Sequence, residues 1–188
     1  LPTIVYFQGN GGNIAGRGTK VRPYLDAGFG VLLAGYRGYG GNPGRPSEPG
    51  LYADGRAHLD FLNKQNIPPK RWVMYGESLG SGVAVQMAFE RAKDDQGQTD
   101  GSIGTVILEA PFSSLGDAAQ SHYPFFPARY LVKDRFDSIA KIDKIKAPLF
   151  VFNGDRDGVI PPSLGRRLFD AAKDPKESHW IKGGGHNN

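Results

Sequence analysis

Cysteine is absent from the 188-residue chain. That excludes a disulfide framework and a thiolate zinc site, and it leaves the redox compartment open. No run of about 18 or more apolar residues is present, and no charged-then-apolar leader opens the chain, so these residues hold neither a membrane-spanning helix nor a secretory signal. Blocks of like charge are missing too. The net charge of +4 comes from scattered Lys and Arg, and no basic run exceeds a pair such as Arg166–Arg167. This pattern argues for a solvated surface rather than a nucleic-acid stripe and leaves only weak attraction to anionic membranes open. Internal repeats and linker-like stretches are absent as well. At 39% hydrophobic and 22% charged residues, the composition is that of a globular protein rather than a disordered one, and the length suits a single domain with one sizeable core.

What is present is an alternation. PTIVYF (2–7) reads as a buried strand running into the turn GNGGN. Because a protein rarely starts inside a core strand, further chain is expected ahead of Leu1. GVLLA (30–34) is a second apolar run, and after a Gly/Pro-rich loop LYADGRAHLDFLNKQ has helical spacing up to Pro68. RWVMY then reads as a strand, SLGSGVAVQMAFERA as a helix, and DDQGQTDGS (94–102) as a surface loop. TVILEA and KAPLFVFN are strands, SLGRRLFDAA a helix and SHWIK a last strand. The repeated order predicts an α/β fold, a mostly parallel sheet with helices on both faces. Residues 112–142 interrupt it, with Tyr123, Phe125, Phe126 and Tyr130 set around Pro124 and Pro127. Two readings stay open there: a helix pair covering the sheet, or a short helical cap giving a substrate an apolar wall.

Between RWVMY and the following helix lies GESLG (76–80). The G-x-S-x-G pattern at a strand-to-helix turn needs small flanks, here Gly76 and Gly80, to hold Ser78 in a strained conformation at the carboxyl edge of the sheet. That makes Ser78 a candidate nucleophile, against the alternative of a helix-capping serine. A serine hydroxyl is hardly ionised at neutral pH, so it needs a base, and the base needs an orienting carboxylate. Of the four histidines, His58 falls inside a helical segment, His122 inside 112–142, and His179 ahead of the last strand. His186 follows that strand in a glycine run, where a loop past the sheet edge can present it. FVFNGDRDGVIPP offers Asp155 and Asp157; Asp157, later in the turn, can reach the histidine loop, whereas Asp155 suits turn capping.

Two patterns are decoys. Asn153, Asp155, Asp157 and Gly158 imitate the start of a calcium loop, but its twelfth position is Leu164, and Pro161 and Pro162 interrupt it. GNGGNIAGRGTK has neither G-K-[ST] nor G-x-G-x-x-G spacing. Its glycines suit an oxyanion loop instead, with backbone N–H groups from Leu79, after the nucleophile, and from Asn10, Gly11 being the adjacent choice. No metal or organic cofactor is called for.

Taken together, YFQGNGGN, GYRGYGGNPGRPSEPGLYAD, YGESLGSG, LEAPFSS, NGDRDGVIP and GGGHNN resemble the alpha/beta-hydrolase superfamily, and within it the small serine hydrolases that include bud-emergence-related hydrolases and protein depalmitoylases. The resemblance covers nearly the whole chain. It implies a Ser78–Asp157–His186 triad, an oxyanion hole from Asn10 and Leu79, and hydrolysis of carboxylic esters or thioesters, with a small-molecule or lipid-like acyl ester as partner. Gly11, Tyr123, Phe125 and Phe126 are the candidate substrate contacts. A silent binding protein of the same fold, or an acyltransferase or peptidase using the same residues, are the alternatives. Gln8 stands where such proteins usually have His. They also usually have further strands ahead of the first one here and a helix after the histidine, which leads to the expectation of a core fragment with His186 poorly held. Many carry an amino-terminal membrane anchor, so the resemblance leaves room for a cytoplasmic or a membrane-associated protein.

Overall fold

A computed structural model describes residues 1–92 and 103–186. The stretch 94–102, read above as a surface loop, lies outside the described residues. The strands β1 (Thr3–Phe7), β2 (Gly30–Ala34), β3 (Trp72–Glu77), β4 (Thr105–Glu109), β5 (Leu149–Gly154) and β6 (Lys176–Ile181) form one six-stranded sheet in the order β2-β1-β3-β4-β5-β6. Every pairing is parallel. The helices are α1 (Gly18–Asp26), α2 (Glu48–Lys64), α3 (Leu79–Ala92), α4 (Leu115–His122), α5 (Ala128–Leu131) and α6 (Pro162–Ala171).

Alternation of side chains along each strand divides the core between two faces. Val5, Phe7, Met74, Val106, Leu108 and Val151 face α2, α3 and α6, meeting Leu59, Val83, Met87 and Leu168. Ile4, Tyr6, Val73 and Tyr75 face the other way, against Val21 of α1. β1 and β3 are buried along their whole length. Strands covered on both faces read as continuous apolar runs, which is why PTIVYF and RWVMY stand out in the sequence.

Two elements differ from the sequence reading. α2 starts at Glu48 rather than Leu51, because Ser47 caps it through a hydrogen bond from Gly50 N–H to its Oγ (3.2 Å) and Pro49 fits the first turn. α1 has no counterpart in the sequence reading. Glycines lead into it and Pro23 lies within it, so local propensity speaks against a helix. Tertiary packing overrides this: Val21 is buried, and Tyr24 meets Tyr75 edge-on with ring centres 6.1 Å apart. In 112–142, Phe112, Phe136 and Ile142 join the main core, whereas Tyr123, Phe125, Phe126 and Tyr130 stand on the outside.

Candidate active site

All the parallel strands end at the same edge, and the turns that leave it carry the candidate residues. At the end of β3, Ser78 has φ +50°, a left-handed conformation that a side chain normally avoids. Crowding forces it. A Cβ on Gly76 would lie 2.5 Å from the Ser81 Cα, and one on Gly80 would lie 2.0 Å from the Phe7 carbonyl oxygen. The first turn of α3 therefore abuts the end of β1, and only glycine fits on either side of the serine. Ser78 N–H donates to the Glu109 carbonyl (2.8 Å) and its own carbonyl accepts from Ser81 N–H (2.9 Å), tying the turn to β4 and to α3.

Asp157 follows β5 and its carboxylate is fully buried. Its Oδ1 accepts hydrogen bonds from Val159 N–H and Ile160 N–H, both at 2.8 Å, and its Oδ2 lies 2.7 Å from His186 Nδ1. His186 Nε2 lies 3.1 Å from Ser78 Oγ. The buried carboxylate is an acceptor, so Nδ1 carries the proton toward it and Nε2 is left as an acceptor for the serine hydroxyl. This is the arrangement needed to draw a proton from Ser78.

The expectation that His186 is poorly held does not agree with the structure. Asp155 N–H donates to the Ile181 carbonyl (3.0 Å), Arg156 N–H to the Gly184 carbonyl (2.9 Å), and Gly183 N–H to Asp155 Oδ1 (2.7 Å). The β5 and β6 turns are thus laced together below the imidazole. They approach so closely that a Cβ on Gly154 would lie 2.2 Å from the Gly184 carbonyl oxygen. The two carboxylates of the calcium-like pattern are therefore engaged, one with the histidine loop and one with the histidine. Among the described residues no group of three or more His, Asp or Glu is placed to hold a metal ion. The other histidines lie elsewhere: His58 bonds the Gly35 carbonyl (2.9 Å), His122 bonds the Val159 carbonyl (2.8 Å), and His179 lies exposed on β6.

The loop after β1 passes beside the serine. A Cβ on Gly9 would lie 3.4 Å from the Ser78 Cβ. Asn13 caps the turn that follows, its Oδ1 accepting from Ala15 N–H (3.0 Å) and Gly16 N–H (3.3 Å). Two tyrosines from the loop after β2 brace the segment: Tyr36 Oη–H donates to the Gln8 carbonyl (3.2 Å) and Tyr39 Oη–H to Asn10 Oδ1 (2.5 Å). Burial raises the pKa of both phenols, so they remain donors. Gln8 is itself buried and acts here through its main chain. Leu79 opens α3, so its N–H is among the amino-terminal helix donors without an intrahelical partner.

Two cavities meet at Ser78. One, of about 360 Å³, is bordered by Tyr39, Leu51, Leu79, Leu115, Phe136 and Ile160. The other, of about 680 Å³, is bordered by Gly11, Arg17, Lys20, Glu77, Glu109 and His186. Tyr123, Phe125 and Phe126, expected to touch substrate, border neither; they are 64%, 103% and 58% exposed. In their place the apolar wall comes from Leu115 and Phe136 of the same segment and from Tyr39 and Leu51. Those residues are far apart in the chain, and no local pattern marks them.

No family model matches the chain. Among curated proteins it is 40% identical over 187 residues to an uncharacterized protein of Mycobacterium tuberculosis, covering 99% of this chain and 63% of that one. It is 32% identical to the lysophosphatidylserine lipase ABHD12 of Danio rerio (96% of this chain, 50% of the relative). It is 33% identical to protein bem46 of Schizosaccharomyces pombe (86% and 53%). The chain thus spans about half to two thirds of the length of these relatives. Among solved structures, an alpha-beta hydrolase from Vibrio vulnificus superposes with a TM-score of 0.81 at 22% identity (98% of this chain, 67% of that one). A monoacylglycerol lipase from Paleococcus ferrophilus superposes with a TM-score of 0.73 at 20% identity (98% and 86%). At those identities the likeness is one of fold.

Proposed function

We propose that this chain, which belongs to the alpha/beta-hydrolase superfamily, is a serine hydrolase that cleaves carboxylic esters or thioesters through an acyl-enzyme. One observation carries the reading: Ser78 Oγ, His186 Nε2, His186 Nδ1 and Asp157 Oδ2 are linked through contacts of 3.1 Å and 2.7 Å, beside a loop and a helix terminus that can donate N–H groups. Ser78 Oγ attacks the acyl carbon while its proton passes to His186 Nε2. Asp157 holds the imidazole in the required tautomer and offsets its charge without itself taking the proton. Backbone N–H groups of Leu79 and Asn10 hold the oxyanion, and His186 returns the proton to the leaving oxygen or sulfur. Water, deprotonated by the same histidine, then releases the acid.

The acyl group lies in the cavity lined by Tyr39, Leu51, Leu115, Phe136 and Ile160, whose apolar walls suit a lipid-like chain. The relatives in hand include one named as a lysophosphatidylserine lipase, which is consistent with a lipid-like ester. Labelling with a fluorophosphonate, read as intact mass on the protein and on its Ser78→Ala variant, tests the assignment. One adduct on the protein and none on the variant is expected, with ester turnover in the variant reduced to at most the roughly 10³- to 10⁴-fold over water that the oxyanion and binding groups supply. A folded protein that takes no adduct, or a variant that keeps it, overturns the reading. Paired esters and thioesters of one acid then settle which bond is preferred.

A further inference from the structure

Proton transfer gives the two cavities different roles. When the acyl carbon is bonded to Ser78 Oγ, the departing oxygen must lie within hydrogen-bond reach of His186 Nε2, which delivers its proton. His186 borders the larger cavity and not the apolar one, whereas Ser78 and Asn10 border both. The departing alcohol therefore leaves through the larger cavity, and the acyl chain occupies the other.

The larger cavity has unusual walls. Arg17 Nη2 lies 3.2 Å from Glu77 Oε1, and Lys20 Nζ lies 2.6 Å from Glu109 Oε2 and 3.7 Å from Glu77 Oε2. From the sheet below, Tyr6 donates to Glu77 and Tyr75 donates to Glu109 (2.7 Å). Burial first, and then the adjoining carboxylates, push both phenols above their ordinary range, so they stay donors. Each cation thus faces a carboxylate. A phosphate or carboxylate entering here would meet Glu77 and Glu109, and an ammonium group would meet Arg17 and Lys20; like charges at this range repel. A hydroxyl is both donor and acceptor. It can accept from the partly exposed Arg17 guanidinium or Lys20 ammonium and donate to a carboxylate oxygen of Glu77 or Glu109.

We infer that the cavity formed by Arg17, Lys20, Glu77 and Glu109 beside His186 is a leaving-group subsite for an uncharged, hydroxyl-bearing alcohol, which makes the substrate an acyl ester of a polyol. The inference rests on the serine-hydrolase reading above. In the reaction the Ser78 Oγ–C bond forms first, giving a tetrahedral oxyanion; the C–O bond to the polyol breaks as that intermediate collapses, and the proton taken from Ser78 moves from His186 Nε2 to the polyol oxygen.

The test compares kcat/KM for the glycerol, methyl, choline and glycerol phosphate esters of one fatty acid. The glycerol ester is expected to exceed the methyl ester by about tenfold, the size of one hydrogen bond to a charged partner, and to exceed both charged esters. Two variants act on the ratio by different routes. Lys20→Gln removes a charge from the cavity wall, while Gly16→Leu adds apolar bulk at that wall and removes no charged group, a Cβ on Gly16 meeting nothing within 4 Å. Both should bring the glycerol-to-methyl ratio down toward one. Equal rates on the two esters, preference for a charged ester, or a ratio unchanged in both variants would overturn the inference while Ser78 still reacts with fluorophosphonate. Absence of that labelling would instead remove the reading on which it rests.

Discussion

Asp157 uses one carboxylate for two tasks, accepting from Val159 N–H and Ile160 N–H on Oδ1 and facing His186 Nδ1 with Oδ2. Replacing it by Asn separates those tasks. An Asn Oδ1 can still accept from the two backbone donors, so the turn should keep its shape. The amide NH₂ would then face the imidazole, force its proton onto Nε2, and leave Ser78 without a base. Asp157→Asn is therefore expected to lower kcat on the order of 10⁴-fold with little change in thermal midpoint, measured as ester turnover beside an unfolding curve. Turnover near the unmodified rate would remove Asp157 from the mechanism. At this scale the sequence is most legible where chemistry constrains neighbours. Glycines at 76 and 80 and the carboxylate and histidine after successive strands are local signals, and the structure brings Ser78, Asp157 and His186 together. The walls of the cavities are not local. Tyr39, Leu51, Leu115 and Phe136 converge only once the fold exists, and aromatic character alone pointed to Tyr123, Phe125 and Phe126, which face solvent.

The loop between β2 and α2 is rich in glycine and proline and forms neither strand nor helix through Ser47, yet it fixes the segment carrying Asn10. Arg37 anchors it from below, its N–H and guanidinium bonding the Asp54 carboxylate of α2 at 2.8–3.1 Å. Asn42 Nδ2–H closes it on the Tyr36 carbonyl (3.0 Å). From that platform Tyr36 and Tyr39 reach Gln8 and Asn10. Tyr39→Phe keeps the ring and deletes only the hydroxyl that holds Asn10 Oδ1. The expected result is a loss of about fivefold in kcat, the worth of one hydrogen bond of about 1 kcal/mol, with KM and thermal midpoint nearly unchanged. A loss confined to KM would mean that Tyr39 serves the apolar cavity and not the oxyanion loop. Element types were readable where periodicity and burial agree, as in β1, β3 and α3. They were not readable at α1, which exists because Val21 and Tyr24 cover the second face of the sheet, a reason that lies in the strands rather than in the helix.

Across the molecule the three candidate residues hang from strands of unequal protection. Ser78 follows β3, which is buried along its length and paired on both sides, and Asp157 follows β5, also paired on both sides. His186 follows β6, the edge strand, in which every second residue is exposed. Beyond its ladder to β5, β6 is supported by Lys176, whose Nζ donates to the Phe169, Asp170 and Ala172 carbonyls at the end of α6, and by the Arg166 guanidinium lying 4.0 Å over the Trp180 ring. An edge strand with few buried side chains opens at a lower free energy than the central strands. When it opens, the lacing of Gly183 and Gly184 to the β5 turn is lost, and His186 leaves Ser78 while the central sheet persists. The rate of fluorophosphonate labelling, followed through a urea titration, should therefore fall with a midpoint at lower urea than the far-ultraviolet circular dichroism of the same samples. Coincident midpoints would show instead that β6 unfolds only with the whole sheet, and that the lacing between the β5 and β6 turns is strong enough to make the edge as stable as the centre.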